Sequence, residues 1–284
     1  MMPVKHVYKL LMLISILAAT PIICNSCNTF PAVTKSGTPV ITDTPVSTPT
    51  AQPLNVWQQV RTGVELRYEH WKSPGPDEDT VVILRFNLHD VHIKVGYQPS
   101  QPMGLSDWLQ QEHGFAAING GYFDDQNKTT ALVVANGQSY GNSYNGFGGM
   151  LSVDAQGNVQ LRSLRDQPYD PSEQLQQATQ SSPMLMINGT RTQFSADAAN
   201  KARSVVAIDK QGRMLFIVAP DTDGNSGFAL DELADLLASS DLSLQNALNL
   251  DGGASTGLYM NGSTGKPQVT IDSIAALPIA IVVK

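Results

Sequence analysis

The stretch Ala202–Pro220, ARSVVAIDKQGRMLFIVAP, decides the fold class. Two apolar, β-branched runs flank a polar tip at Asp209–Gly212, the pattern of an antiparallel hairpin. The same pattern recurs on both sides. VELRYEHW (Val64–Trp71), TVVILRFNL (Thr80–Leu88) and VHIKVGY (Val91–Tyr97) read as strands. GGMLSVDAQGNVQLRSL (Gly148–Leu164) reads as a hairpin around Asp154–Asn158. TALVVANGQ (Thr130–Gln138) and SPMLMINGT (Ser182–Thr190) read as strands that reach Asn-Gly turns. Helices are few. Ser106 is the expected N-cap of DWLQQEH, with Gly114 past its end, and Ser172–Thr179 is expected to be helical. Ala229–Ser240 is the clearest helix, with Leu230, Leu233, Leu236 and Leu237 at helical spacing. Hairpins dominate, so the expected class is α+β, with mixed, largely antiparallel β-sheets and a few short helices.

The 284 residues, 42% of them hydrophobic, suffice for a sizeable core. The net charge of −7 and the lack of a Lys/Arg cluster in the body argue against nucleic acid as a partner. Lys5 and Lys9 precede the apolar run Leu10–Ile23, which is short for a membrane span and suits a signal segment. The chain is therefore expected to be exported. The two cysteines, Cys24 and Cys27, follow that run directly. They read as a lipidation site, as incidental residues of a removed signal, or as a closely spaced disulfide. Lipidation of Cys27, behind the small Ser26, is the favoured reading. Asn28–Pro53 is rich in Thr and Pro and nearly uncharged, the composition of an extended tether. The expected organisation is a signal segment at 1–27, a tether at 28–53 and one folded domain at 54–284, at the outer face of the cell membrane.

Four segments deliver polar residues where apolar strands give way to turns. They are INGGYFD (Ile118–Asp124), ARS (Ala202–Ser204), APDTDG (Ala219–Gly224) and NLDGGAST (Asn249–Thr256). Asn119, Arg203, Asp221 and Asp251 are the candidates for chemistry. Gly120, Gly121, Gly252 and Gly253 permit close backbone approach to a ligand. Backbone amides in such turns cradle anions, and an arginine adds bidentate phosphate recognition. Each motif alone is also ordinary turn chemistry.

Taken in order, INGGYF, SPMLMING, RSVVAIDKQGRMLFIVAPD, LDELADLL and ALNLDGGASTGLYMNG resemble the phosphodiester glycosidase family. That family includes the catalytic domain of the mannose-6-phosphate uncovering enzyme. Ala254 stands in DGGAST where the family pattern has a third glycine, and the segment VTIDSIAALPIAIVVK carries no arginine. The resemblance implies hydrolysis of a sugar-1-phosphodiester at the anomeric carbon. It assigns Arg203 and the paired glycine amides to the phosphate, and Asp251 to the cationic sugar or to water. Asp221 becomes a second carboxylate. Asn119, Ser255 and Thr256 become hydrogen-bonding groups for sugar or phosphate oxygens, with Tyr122 and Phe123 as walls.

Three rivals stand beside this. A serine hydrolase at Ser255 or Ser204 needs a base, and no histidine follows His113. A metal-dependent phosphodiesterase has Ca²⁺ or Mg²⁺ on Asp251 and Asp221, while His89 and His92 fall on opposite faces of a strand. A surface-anchored phosphoglycan-binding module uses the same groups without turnover.

Overall fold

The computed structural model describes residues 53–72, 78–194, 199–220, 227–262 and 267–284. The leader, Cys24, Cys27, most of the tether and Asp221 lie outside the described residues.

The chain opens with β1 (Gln58–Arg61), β2 (Val64–Lys72) and β3 (Glu78–Phe86). Gly63 turns β1 into β2 at φ +69°, where a Cβ would strike the Asp90 side chain. β4 (Ile93–Tyr97), α1 (Leu105–Glu112) and β5 (Ala116–Asn119) follow. Next come β6 (Val133–Ala135), β7 (Gln138–Tyr140), β8 (Gly149–Asp154), β9 (Val159–Ser163) and β10 (Leu175–Ser181). β11 (Met184–Ile187) and β12 (Thr190–Arg191) form a hairpin on Asn188–Gly189, both residues at positive φ. β13 (Arg203–Asp209) and β14 (Met214–Ala219) form the hairpin read from the sequence. Its tip is held by the buried Asp209 carboxylate, which accepts from the Gln211 and Arg213 N–H groups at 2.9 Å. α2 (Leu230–Ser239), β15 (Leu244–Asn249), β16 (Leu258–Asn261), β17 (Pro267–Ile271) and β18 (Ile279–Val283) complete the described chain.

Three sheets result. Their orders are β1-β2-β3-β14-β13-β15-β11-β12, β7-β6-β10-β8-β9 and β17-β16-β5-β18-β4. They enclose one core. Val82, Leu84, Phe86, Val206 and Phe216 of the first sheet meet Ile118 and Ile281 of the third and Leu151 and Leu161 of the second. The alternate residues Val81, Ile83, Val205 and Ile217 pack on the opposite face against Leu233 and Leu237 of α2. The hairpin runs Val205–Ile208 and Met214–Ala219 are continuously apolar because both faces are covered. α1 covers the third sheet in the same way, with Trp108 against Ala280 and Val282.

Four expectations change. Every pairing between the named strands is antiparallel, so the sheets are not mixed. With two helices among the described residues, the fold is β-rich, and α+β fits it loosely. The N-cap of α1 is Gly104, not Ser106, and no side chain caps it. Ser172–Thr179 is not helical: most of it enters β10 between β6 and β8. The polar residues of β10 are satisfied by long-range partners. Gln177 Oε1 accepts from the Val95 N–H at 3.1 Å, and Gln180 Oε1 from the Tyr144 N–H at 2.8 Å. Replacing Gln177→Leu leaves the buried Val95 N–H without this acceptor. It is expected to cost about 1–2 kcal/mol in urea unfolding.

Candidate active site

The site lies where two sheets are stitched together. β15 runs along β13 in the first sheet, and the Leu250 N–H continues that ladder to the Ser204 carbonyl at 2.9 Å. One residue further, the Asp251 N–H crosses to the Gly120 carbonyl of the third sheet at 3.1 Å. Asn119, at the end of β5, returns the link. Its Nδ2 donates to the Asp251 carbonyl at 2.7 Å, and its Oδ1 accepts from the Gly257 N–H at 3.3 Å. Asn119 and Asp251, 132 residues apart, thus share one corner.

The Asp251 carboxylate is largely buried, and burial raises its affinity for a proton above the ordinary carboxylate value. Hydrogen bonds from the Ser255 side chain and from the Gly252 N–H, at 2.9 Å, oppose that rise without cancelling it. Arg203, the first residue of β13, is buried, not a surface arginine. Its Nε donates to the Phe228 carbonyl at 2.8 Å and its Nη2 to the Ala199 carbonyl at 2.9 Å. These bonds fix the guanidinium. A Cβ on Gly252 would stand 3.0 Å from the Ala202 carbonyl oxygen and 3.9 Å from Arg203 Nη1. The glycine therefore lets the Asp251 turn lie against the β13 strand and its arginine.

Tyr122 completes the corner. Its hydroxyl donates to the Ser182 carbonyl at 3.0 Å and accepts from Asn249 Nδ2 at 2.8 Å. Burial pushes its pKa up to about 12; Asp251 and Tyr144 add to the rise, and Arg203 and the Asn249 hydrogen bond oppose it. The phenol therefore stays protonated across the working range. Tyr122→Phe is expected to cost about 1–1.5 kcal/mol of stability in thermal unfolding, because Asn249 and Ser182 lose a shared partner. Asn249 Oδ1, Ser204 Oγ and Thr256 Oγ1, on segments of this corner, are buried with no hydrogen-bond partner among the described residues.

Several sequence-derived roles change on this geometry. The Gly120 N–H donates to Ile279, Gly252 to the Asp251 carboxylate and Gly253 to Ala202, so these three amides serve the fold. The glycines are required for close packing instead. A Cβ on Gly121 would come within 2.2 Å of the Gln180 carbonyl, and one on Gly120 within 2.3 Å of the Ile279 side chain. Asn119 and Ser255 are buried and bonded to the Asp251 segment, so they position that residue. Thr256 is buried behind it. Phe123 is half-buried beside the corner. His89 lies in the turn after β3 and His92 just ahead of β4, so they do not share a strand. Among the described residues, no three His, Cys, Asp or Glu side chains gather as a metal-binding group. Sequence reasoning missed Asn249 and Ser182; the one visible signal was an asparagine inside the apolar run ALNL.

A sequence model of the phosphodiester glycosidase family matches residues 114–284. A relative from Escherichia coli strain K12, the uncharacterized protein YigE, is 30% identical over 171 residues. That match spans 56% of this chain and 63% of the relative's length. Among solved structures, the chain resembles the catalytic domain of zebrafish N-acetylglucosamine-1-phosphodiester alpha-N-acetylglucosaminidase, auto-inhibited by its pro-peptide. The TM-score is 0.63 at 17% identity, covering 79% of this chain and 84% of that one. A hypothetical protein from Synechocystis matches with a TM-score of 0.58 at 16% identity, over 82% of this chain and 64% of that one. These two likenesses speak to the fold. The family match takes in both strand ends that meet at Asn119 and Asp251, together with Arg203 and Tyr122, and spans more than half of the sequence: the chain belongs to the phosphodiester glycosidase family.

Proposed function

We propose that this protein hydrolyses sugar-1-phosphodiesters at the anomeric carbon. The observation that carries the reading is a largely buried carboxylate with raised proton affinity, Asp251, on a turn whose next residue, Gly252, lies against Arg203, a guanidinium held rigidly by two carbonyls. The bond that breaks joins the anomeric carbon to the phosphate oxygen, and the oxygen keeps the electron pair. The phosphomonoester leaves as a stabilised anion, so a strong general acid is less necessary than in ordinary glycosidases. Arg203 offsets the negative charge that develops on the phosphate. Asp251 takes a proton from water as the water oxygen bonds to the anomeric carbon, and it faces the oxocarbenium-like centre with a negative charge. The products are the free sugar and a phosphomonoester.

Export and lipid anchoring belong to the same proposal, supported by the leader, Cys27 and the tether of the sequence. A Burkholderia pseudomallei protein described as exported shares the fold, with a TM-score of 0.52 at 11% identity over 74% of this chain and 75% of that one. Cys27→Ser is expected to move the protein from the membrane fraction to the soluble one; an unchanged distribution would refute the anchor.

The experiment is hydrolysis of a panel of sugar-1-phosphodiesters by the wild type, by Arg203→Ala and with a chelator. Equal release of free sugar and phosphomonoester supports the reading. Phosphoglycan binding without release would favour the binding module. Loss of activity with chelator, restored by Ca²⁺ or Mg²⁺, would make the cation part of the site.

A further inference from the structure

A cavity of about 500 Å³ opens beside the corner. Phe147, Pro183, Met184, Ile187, Phe194 and Leu230 supply its apolar lining, and Arg165, Gln193 and Thr192 are among its polar groups. Two chains of contacts and one stretch of backbone tie it to the candidate site. Ser182, which lines it, gives its carbonyl to both Tyr122 and Asn249. Phe147 stacks on Tyr144 with ring centroids 4.5 Å apart, and the Tyr144 hydroxyl lies 3.3 Å from Thr130 Oγ1, whose N–H bonds to Tyr122. Leu230 begins α2, two residues after the Phe228 carbonyl that anchors Arg203. A cavity of this size, in which apolar lining outweighs polar, has the character of a ligand site. Phe147 is 52% exposed at its edge, flanked by Gly146 and Gly148, both at positive φ.

We infer that this cavity receives the alcohol side of the phosphodiester and that this alcohol is apolar, so the substrate is a sugar-1-phosphate ester of an aliphatic alcohol. The inference rests on the phosphodiester reading of the corner. Its physical basis is the match between an aliphatic chain and the six apolar side chains. A sugar or another hydroxyl-rich group laid against those six side chains would lose water without gaining hydrogen bonds from them. The apolar alcohol also leaves the chemistry alone. It is released still bonded to phosphate, so its length does not alter the bond that breaks.

The test uses one sugar-1-phosphate esterified with methyl, butyl or octyl alcohol, below any micelle concentration. It is paired with calorimetric binding of methyl phosphate and octyl phosphate, which needs no turnover. Wild type is expected to gain about threefold to fourfold in kcat/KM per buried methylene until the cavity is full. Octyl phosphate is expected to bind at least tenfold tighter than methyl phosphate. Phe147→Ser, at an exposed position, is expected to flatten both trends. Equal rates along the series with equal binding of the two phosphates would overturn the inference, as would a chain-length trend that ignores Phe147→Ser. Tighter octyl phosphate binding that depends on Phe147, with no ester turned over, would sustain the pocket and sink the hydrolase reading instead.

Discussion

Asp251→Asn is expected to lower kcat/KM toward a sugar-1-phosphodiester by roughly 10²–10⁴-fold while raising thermal stability near neutral pH. The two effects have one origin. Burial disfavours the charged carboxylate, and the hydrogen bonds from Ser255 and Gly252 do not fully compensate. A carboxyl group whose folded value lies above its unfolded value contributes stability below the ordinary value of 3.8. That contribution is lost as pH rises through the raised folded value. At neutral pH the ionised side chain is therefore a net cost to the fold. An amide removes the charge, and its oxygen still accepts from the Gly252 N–H. Each kcal/mol so recovered corresponds to a rise in Tm of about 2–4 °C. The gain should vanish below the unfolded value, where Asp251 is protonated in both states. Activity tests the same group from the other side. If Asp251 works as the base, kcat/KM falls as pH drops through its raised value, and that acid limb is absent from residual Asp251→Asn turnover. Full activity in the variant would remove Asp251 from the chemistry, and an equal loss of stability at all pH values would refute the cost of its buried charge.

Asn119→Ala is expected to cost about 2–4 kcal/mol of stability and to depress turnover far more than it weakens substrate binding. Asn119 is 1% exposed, and its amide spans the corner from the Asp251 carbonyl to the Gly257 N–H. Removing it strips one partner from each of two backbone groups, each worth about 1–3 kcal/mol when left unpaired. It also frees the backbone that carries Asp251, so the carboxylate loses its aim. Asn119→Asp separates the contributions. It retains an acceptor for Gly257, loses the donor to Asp251 and adds a buried charge, so it should be no better than alanine. Urea unfolding beside kcat and KM measures both effects. An alanine variant as stable and as active as wild type would show that the clamp is dispensable.

Most of the framework was legible in the chain because its signals are local. The β13–β14 hairpin, the Asn188–Gly189 turn and α2 each follow from backbone preferences over a few residues. Where local signals mislead, long-range satisfaction decides. The Gln-rich β10 carries little apolar patterning, and its glutamine side chains find partners at Val95 and Tyr144. The Gly104 cap shows the same limit on a smaller scale, since a serine stood two residues further on.

By itself the sequence determined that antiparallel strands dominate, that polar residues sit at strand ends, and that Asn119, Arg203 and Asp251 belong to a recurrent ordered set of motifs. Only the tertiary structure decided what those residues do to one another. It bound Asn119 to the Asp251 backbone, buried Arg203 between two carbonyls and occupied the Gly120, Gly252 and Gly253 amides within the protein. The reason is physical. Strand and turn propensities act over neighbouring residues, whereas desolvation, hydrogen-bond partnership and proton affinity depend on which distant segments are brought within a few ångströms.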